Sequence, residues 1–207
     1  GFNSALSEKI SKDLAIAEGI SIPLIFILLL FVFGGLIASA TPLRVGVSAI
    51  IGALAIIYLV SLATGVSIFA LNLITGMGLG LGIDYALLMV NRFREEIHHG
   101  KDIETAIVNT VKTAGKTVFY SGITVIITLA ALTFFPLMFL KSFGYAGVSV
   151  VAMAIAGALI PLPAILALLG NKIDKYVVHR AALTPKEEGS WAKLARFVMR
   201  RPIPVVV

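Results

Sequence analysis

The sequence predicts an all-α integral membrane protein, a bundle of five transmembrane helices with an amphipathic helix along its cytosolic surface. Three observations carry that prediction. Hydrophobic residues make up 58% of the chain and charged residues 14%, with a mean hydropathy of +1.00, whereas about 25% charge is usual in a soluble domain. Apolar stretches of the length that crosses the hydrocarbon core, about 20 helical residues, recur along the chain. The charges fall between these stretches, mostly on one side of the implied bundle.

The elements follow in order. Residues 1–19 are polar and mildly amphipathic, with Leu6, Ile10, Leu14 and Ala17 at helical spacing, and read as an approach helix at the end of a periplasmic domain. The first span covers about 20–40, with Ser21 as N-cap and Pro23 in the first turn, where its missing N–H matters little. Thr41-Pro42-Leu43-Arg44 is expected to be a tight turn, leading to a second span over 45–63. Thr64-Gly65-Val66-Ser67 breaks the apolar run before a third span over 68–90. Residues 91–112 alternate in charge along one side and carry Phe93, Ile97, Ile103, Ile107 and Val111 along the other, the pattern of a helix lying on the membrane surface. The fourth span covers 118–135 and stops at Pro136. The fifth covers 143–169, kinked near its end by Pro161 and Pro163. Residues 171–201 form a basic linker and interfacial helix containing Trp191, and 202–207 read as the start of a further span. Gly1 is not Met, so the chain reads as an internal piece of a larger protein.

A net charge of +6 and a pI near 9.7 raise nucleic acid as a partner. The positions of the charges argue against it. Lys9, Lys12 and Lys141 fall on one side of the spans, and the other fourteen of the seventeen Lys and Arg fall on the opposite side. The positive-inside rule turns this asymmetry into an orientation, with residue 1 outside and the C-terminal end cytosolic. Without cysteine there is neither a disulfide framework nor a thiolate metal site. His98 and His99 are adjacent, point apart on a helix, and do not make a metal pair.

The candidate chemistry lies in the third span, Gly76-Met77-Gly78-Leu79-Gly80-Leu81-Gly82-Ile83-Asp84-Tyr85. At 100° per residue, Gly76, Gly80 and Asp84 share one face while Gly78 and Gly82 lie on another, nearer Tyr85. Such small-xxx-small patterns let neighbouring backbones approach, and helix packing explains the glycines. It does not explain why a carboxylate ends the ladder. An ionised Asp near a membrane helix centre costs about 2.5–3.5 kcal/mol on insertion scales, and Asp84 is the only acid in the five spans, with no basic residue at its depth. Its gain and loss of a proton would switch its hydrogen bonds and the packing around it, with Tyr85 and, if the fourth span packs beside the third, Ser121 as hydroxyl partners. A dinucleotide fingerprint fails because Leu81 or Ile83 stands where its last Gly belongs. Gly115-Lys116-Thr117 fails as a phosphate loop because Thr110 replaces the first Gly.

With Gly78-Leu79-Gly80-Leu81-Gly82-Ile83-Asp84-Tyr85, Asn91-Arg92-Phe93-Arg94-Glu95-Glu96 and Thr113-Ala114-Gly115-Lys116-Thr117-Val118, nearly the whole chain resembles the MMPL family (mycobacterial membrane protein, large) of the RND superfamily. It resembles the second to sixth helices of the family's N-terminal half, half of an RND-type transmembrane domain. The resemblance implies a secondary active transporter rather than an enzyme, located in the bacterial inner membrane. It implies export of lipids or glycolipids, trehalose monomycolate-like, to a mycobacterial-type envelope, driven by the proton-motive force with protons as coupling ion and no other cofactor. It also implies that Asp84 and Tyr85 are one half of a proton relay, facing a matching Asp-Tyr helix in the C-terminal half of the same protein. That helix lies outside this sequence, so this stretch alone is not expected to transport. Met77, Leu81, Leu88, Ser121 and Val125 match, or neighbour on the helix, the lining of the family's inhibitor pocket, although apolar residues of this kind also serve ordinary packing.

Two other functions fit parts of the sequence. A sterol-sensing-domain-like module would bind lipid without moving protons, and a structural scaffold would use Asp84 only to pin helices.

Overall fold

Helix length decides how much of each element the hydrocarbon can hold. The computed structural model describes residues 19–20, 23–31, 33–170 and 173, so the approach helix 1–19 lies outside the described residues except for residue 19. The basic linker and the residues beyond it lie outside them except for Ile173. Within the described residues the chain forms α1 (23–31), α2 (Leu36–Ser61), α3 (Phe69–His98), α4 (Ile103–Thr110), a π-turn (Val111–Gly115), α5 (Lys116–Ala130), a 3-10 turn (Ala131–Phe134), α6 (Met138–Leu159) and α7 (Pro161–Leu169). Among them four helical stretches are long and apolar enough to cross a membrane: Leu36–Ser61, Phe69–His98, Ile103–Phe134 and Met138–Leu169. The expected first span is only partly described, through α1. The described residues contain no β-strand, and the molecule is an all-α integral membrane protein.

The turn expected at Thr41–Arg44 is absent, because α2 runs unbroken through Pro42. The break comes earlier, at Gly34, whose φ of 64° lies in the left-handed region that glycine enters freely. A proline inside a helix frees one carbonyl and is tolerated in membranes where neighbouring groups compensate. Here the polar groups around it are turned inward. Thr41 is buried and its hydroxyl donates to the Ile37 carbonyl (2.9 Å), while buried Ser39 donates to the carbonyl of Leu29 (2.9 Å) or Gly35 (2.8 Å), tying α2 to α1.

The surface helix expected over 91–112 is also absent. At 1.5 Å per residue, the 30 residues of α3 span about 45 Å, against roughly 30 Å of hydrocarbon, so its last turns carry Arg92 to His98 beyond the core without leaving the helix. Gly100, at φ 79°, then reverses the chain. Asp102 caps α4 by accepting from the Thr105 backbone N–H (3.0 Å), and α4 runs through the π-turn straight into α5. The apolar stripe at 93–107 is therefore the inner side of a helical hairpin, while Val111, the last residue of the expected stripe, is exposed. Phe93 is fully buried, and Ile97, Ile103 and Ile107 pack against the core. The fifth span starts at Met138 and breaks at Ile160, one residue before Pro161.

The core is a trio: α2 and α3 pack together, α6 packs on both, and α5 packs on α6. α2 and α3 cross with backbone against backbone. A Cβ on Gly82 would lie 2.5 Å from the Gly46 Cα and 3.0 Å from its nitrogen. A Cβ on Gly78 would lie 2.5 Å from Ile50 Cγ1 and 3.1 Å from Val150 Cγ2. Apolar side chains gain little from meeting one another when lipid is equally apolar, so contacts this close are what hold such helices together. At the far end of the bundle, the Ser142 hydroxyl accepts from the Ser67 N–H (3.0 Å) and donates to the Met138 carbonyl (2.9 Å). Phe139 meets Phe69 edge-on there, with centroids 6.1 Å apart.

Two predictions follow from this packing. Gly82→Ala should destabilise the bundle by about 1–3 kcal/mol, because the atoms it meets are backbone and cannot turn aside. Gly80→Ala should leave it unchanged or more stable by up to about 1 kcal/mol, since nothing lies within 4 Å of the new methyl. Denaturant titration in mild detergent checks the pair. The second prediction concerns Asp102, whose carboxyl is held below the usual carboxylate range by the backbone hydrogen bond from Thr105. A depressed carboxyl contributes its stabilisation in full above about pH 4 and loses it as the pH falls through the lowered value. Asp102→Ala should therefore lower the melting temperature at neutral pH and flatten its acid-side decline, read by thermal scans across pH.

Candidate functional site

The glycine ladder divides α3 into two environments. Gly78 and Gly82 are buried in the crossings with α2 and α6, while Gly76 and Gly80 are exposed, with nothing within 4 Å of a Cβ built on either. Asp84 continues the exposed face one turn beyond Gly80, and Leu88 follows it at 43% exposure. The separation of faces expected from the helical wheel is the one observed, and the carboxylate lies on the open face.

Tyr85, 100° further round, points the other way. It is 4% exposed, and its hydroxyl has no hydrogen-bond partner among the described residues. The side chain reaches toward α5, where a Cβ on Gly122 would come within 3.4 Å of the Tyr85 oxygen and 2.3 Å of Ile155 Cδ1. The absence of a side chain at Gly122 thus leaves room for both. The structure does not bring Asp84 and Tyr85 to one point: the first faces out of the bundle, and the second fills the space between α3, α5 and α6.

Across that space α3 and α5 run antiparallel, in a register readable from one end to the other. Asn109 Nδ2 donates to Glu96 Oε2 (2.8 Å), Leu88 and Thr117 line one groove, and Tyr85 lies opposite Gly122. Ser121 is exposed on α5, which packs chiefly on α6 rather than on α3. Of the other residues singled out in the sequence, Met77, Leu81 and Val125 are half-buried and pack against the core, while Leu88 lines the groove.

The groove has a volume of about 540 Å³ and opens at the charged end of the bundle. Its walls are Leu88, Asn91, Arg92 and Glu95 from α3, faced by Thr113 and Thr117 from the π-turn and α5. Beside it lies a polar cluster that the sequence analysis placed on a solvated surface. Glu96 is only 2% exposed and gathers three donors: Lys101 Nζ at 2.6 Å, Asn109 Nδ2 at 2.8 Å and Arg92 Nη2. Arg92 also reaches Glu95 through Nη1 (2.7 Å). A buried carboxylate with several charged and amide donors keeps its charge compensated, and it locks the elements that supply them. Arg94, also buried, donates from Nη1 to the Phe33 carbonyl (3.1 Å) between α1 and α2 and stacks over the Phe33 ring, 5.8 Å from its centroid. The Arg92–Glu96 spacing of four was a visible signal for the cluster. The participation of Asn109 depended on a hairpin that the periodicity did not indicate. Among the described residues, no three His, Asp or Glu side chains come together as metal ligands would.

The family model described as the MMPL family matches residues 2–205. A putative membrane protein of Streptomyces coelicolor, SCO6666, is 45% identical over 97% of this chain and 28% of its own length. The trehalose monomycolate exporter MmpL3 of Mycolicibacterium smegmatis is 38% identical over 97% of the chain and 22% of its own length. The mycolic acid-containing lipids exporter MmpL11 of the same species is 32% identical over 96% of the chain and 21% of its own length. The chain therefore spans between a fifth and a third of the length of these curated relatives. With a glycine ladder that leads to Asp84 and Tyr85 inside a bundle of membrane helices, and the match running almost from end to end, the chain belongs to the MMPL family.

Proposed function

We propose that this chain is the helical block of a proton-driven exporter of lipids or glycolipids, in which Asp84 takes up and releases the coupling proton. The observation that carries the reading is the placement of Asp84. A carboxylate stands on the one face of α3 that no other described element covers, behind two glycines that leave the backbone approachable. That face suits a second helix, because small residues permit close packing and the carboxylate then becomes an interior group whose protonation state matters to the contact. The natural occupant is a helix with its own Asp-Tyr pair from the C-terminal half of the same protein. A proton crossing the membrane field supplies about 2.3 kcal/mol per 100 mV, enough to bias two helix arrangements.

The export reading draws on relatives named as exporters of trehalose monomycolate and of mycolic acid-containing lipids, and a cargo of that class is proposed here. The excess of Lys and Arg at one end of the bundle supports placing that end in the cytosol and the chain in the bacterial inner membrane. The proton is the only cofactor this scheme requires.

A lipid-sensing role without proton movement has one observation in its favour. A cleft of about 360 Å³ at the opposite end of the bundle is walled by Leu54, Ile57, Ile68 and Leu71, with Tyr58 and Ser61 at its edge. A pocket of mainly apolar lining with few polar groups suits one lipid tail. Proton flux through the reconstituted whole protein separates the two readings, being present in the first and absent in the second.

Asp84→Asn in the whole protein should reduce export to background while expression and membrane insertion stay normal; export at the parent rate would overturn the proposal. Tyr85→Phe should impair export less than Asp84→Asn. Because the buried hydroxyl has no partner among the described residues, its removal should leave the fold unharmed or more stable by about 1 kcal/mol, measured by unfolding in detergent.

A further inference from the structure

Of the hydroxyl and carboxyl residues that the sequence singles out around the candidate proton site, Asp84 and Ser121 are exposed and Tyr85 alone is buried. Its hydroxyl has no hydrogen-bond partner among the described residues, so within them the position of the ring is set by packing. What the ring packs against is therefore what places it. α3 meets the returning arm of the hairpin at the charged end, through α4 and the π-turn, whereas α5 packs chiefly on α6. Deeper in the bundle a side chain closes the distance, as Tyr85 reaches from α3 toward α5 at Gly122.

Gly122 is the only glycine in α5 and, with Val118 one turn before it, makes up the buried residues of that helix. Glycine inside a helix is less favourable than alanine, so a contact has to call for it. A Cβ at 122 would lie 2.3 Å from Ile155 Cδ1, 2.6 Å from Ile155 Cγ1 and 3.4 Å from the Tyr85 oxygen. Ile155 is 8% exposed and Tyr85 4%, so neither side chain has open space to turn into. Packing of α5 on α6 accounts for the contact with Ile155. The convergence of Tyr85 on the same point ties that contact to α3, and the room for both side chains is the volume of one missing methyl group.

From this convergence we propose that Gly122 is a positioning residue for the candidate proton site: it seats the Tyr85 ring, and the seated ring fixes the rotation of the helical turn that carries Asp84 to the open face. The inference rests on Asp84 as the proton-exchanging group and adds the residue that orients it from another helix. The inner side of α3 is already held at Gly82 by α2 and at Gly78 by α2 and α6, and Tyr85 adds a hold within a turn of Gly82. Asp84 and Tyr85 are consecutive and 100° apart, so a ring pushed from its seat turns α3 and carries the carboxyl with it. A methyl at 122 does not touch Asp84; it acts by displacing Ile155 and the ring. The altered setting changes the surroundings of the carboxyl and therefore the pH at which it takes up its proton.

The test measures export, and proton uptake against pH, in vesicles containing the whole protein. Gly122→Ala should move the uptake midpoint by about half a pH unit or more, about a threefold change in proton affinity. It should also lower export about tenfold. Gly147→Ala is the packing control. It crowds the same two helices, since a Cβ there would lie 2.7 Å from Leu129 Cδ1, but it does so about 10 Å of helix rise along α5 from Gly122. Gly147→Ala should lower stability and leave the midpoint where it is. Equal shifts in the two variants, or none in Gly122→Ala, overturn the proposal. In a Tyr85→Leu background, which lacks the ring, Gly122→Ala should add no further shift; an additive shift means that the methyl acts by another route, and also overturns it. If Gly122→Ala fails to insert, the pair Gly122→Ala with Ile155→Ala decides. Removing both close Ile155 atoms makes room for the methyl and should restore insertion and the parent midpoint, and a pair that stays uninserted or shifted sinks the seat. Asp84→Asn, measured in parallel, separates the two levels. Proton uptake that survives Asp84→Asn removes the site itself, whereas uptake lost in Asp84→Asn with an unmoved midpoint in Gly122→Ala removes only the positioning role.

Discussion

The close crossing of α2 and α3 at Gly46 and Gly82 is the constraint on which the rest of the site depends. Two helices that touch backbone to backbone admit no side chain at the contact, so one face of α3 is committed to glycine and to the bundle interior. With four residues separating each pair of like-facing positions, the remaining face is committed as well. Gly76, Gly80, Asp84 and Leu88 must point away from α2 because Gly78 and Gly82 point toward it. The carboxylate is thus placed by packing on the opposite side of its own helix. Extra volume at the crossing would act on Asp84 by rotating α3 rather than by touching the acid.

A second constraint acts at the other end of the hairpin. Glu96 would be costly to bury alone, since an uncompensated carboxylate in a low-dielectric interior loses its hydration. Its donors come from α3 itself, from the reversing loop and from α4, so satisfying the charge also sets the register in which the two arms descend. From that register follows the pairing of Leu88 with Thr117 in one groove. Polar chemistry at the charged end fixes which residues meet deep in the apolar part of the bundle, where few polar contacts are available to do so.

Much of this was legible in the residues. The third span and its two glycine faces follow from a spacing of 100° per residue applied to ten positions, whereas which face turns outward is fixed by the crossing with α2. Element ends were less legible, for two physical reasons. Thr41-Pro42 has turn chemistry in water, but in a membrane helix Thr41 and its neighbours satisfy their own polar groups, so the helix continues and glycine at 34 makes the break instead. The charged stretch 91–112 has the amphipathic pattern of a surface helix, and that pattern does not distinguish lipid headgroups from a neighbouring helix as the apolar side's partner. The reversal at Gly100 and the cap at Asp102 were the local signals for a hairpin. The burial of Glu96 was not legible, because its partner Asn109 is thirteen residues away and is brought near only by that reversal.

The position of the acid within the ladder also bears on why fold and chemistry agree. Gly82, Ile83, Tyr85 and Ala86 are all buried, so a carboxylate at any of these neighbouring positions would enter the α2–α3–α6 interior. At position 82 it would meet the Gly46 backbone, where not even a methyl has room. Within the ladder, only the residues on the open face can carry a charge without entering that interior, and of these Asp84 is the one a turn from the groove residue Leu88. Tyr85, fixed in the interior beside Gly122, anchors the same turn of helix from within. The two adjacent side chains therefore face opposite ways: Tyr85 fills the space between α3, α5 and α6, and Asp84 stands on the open face.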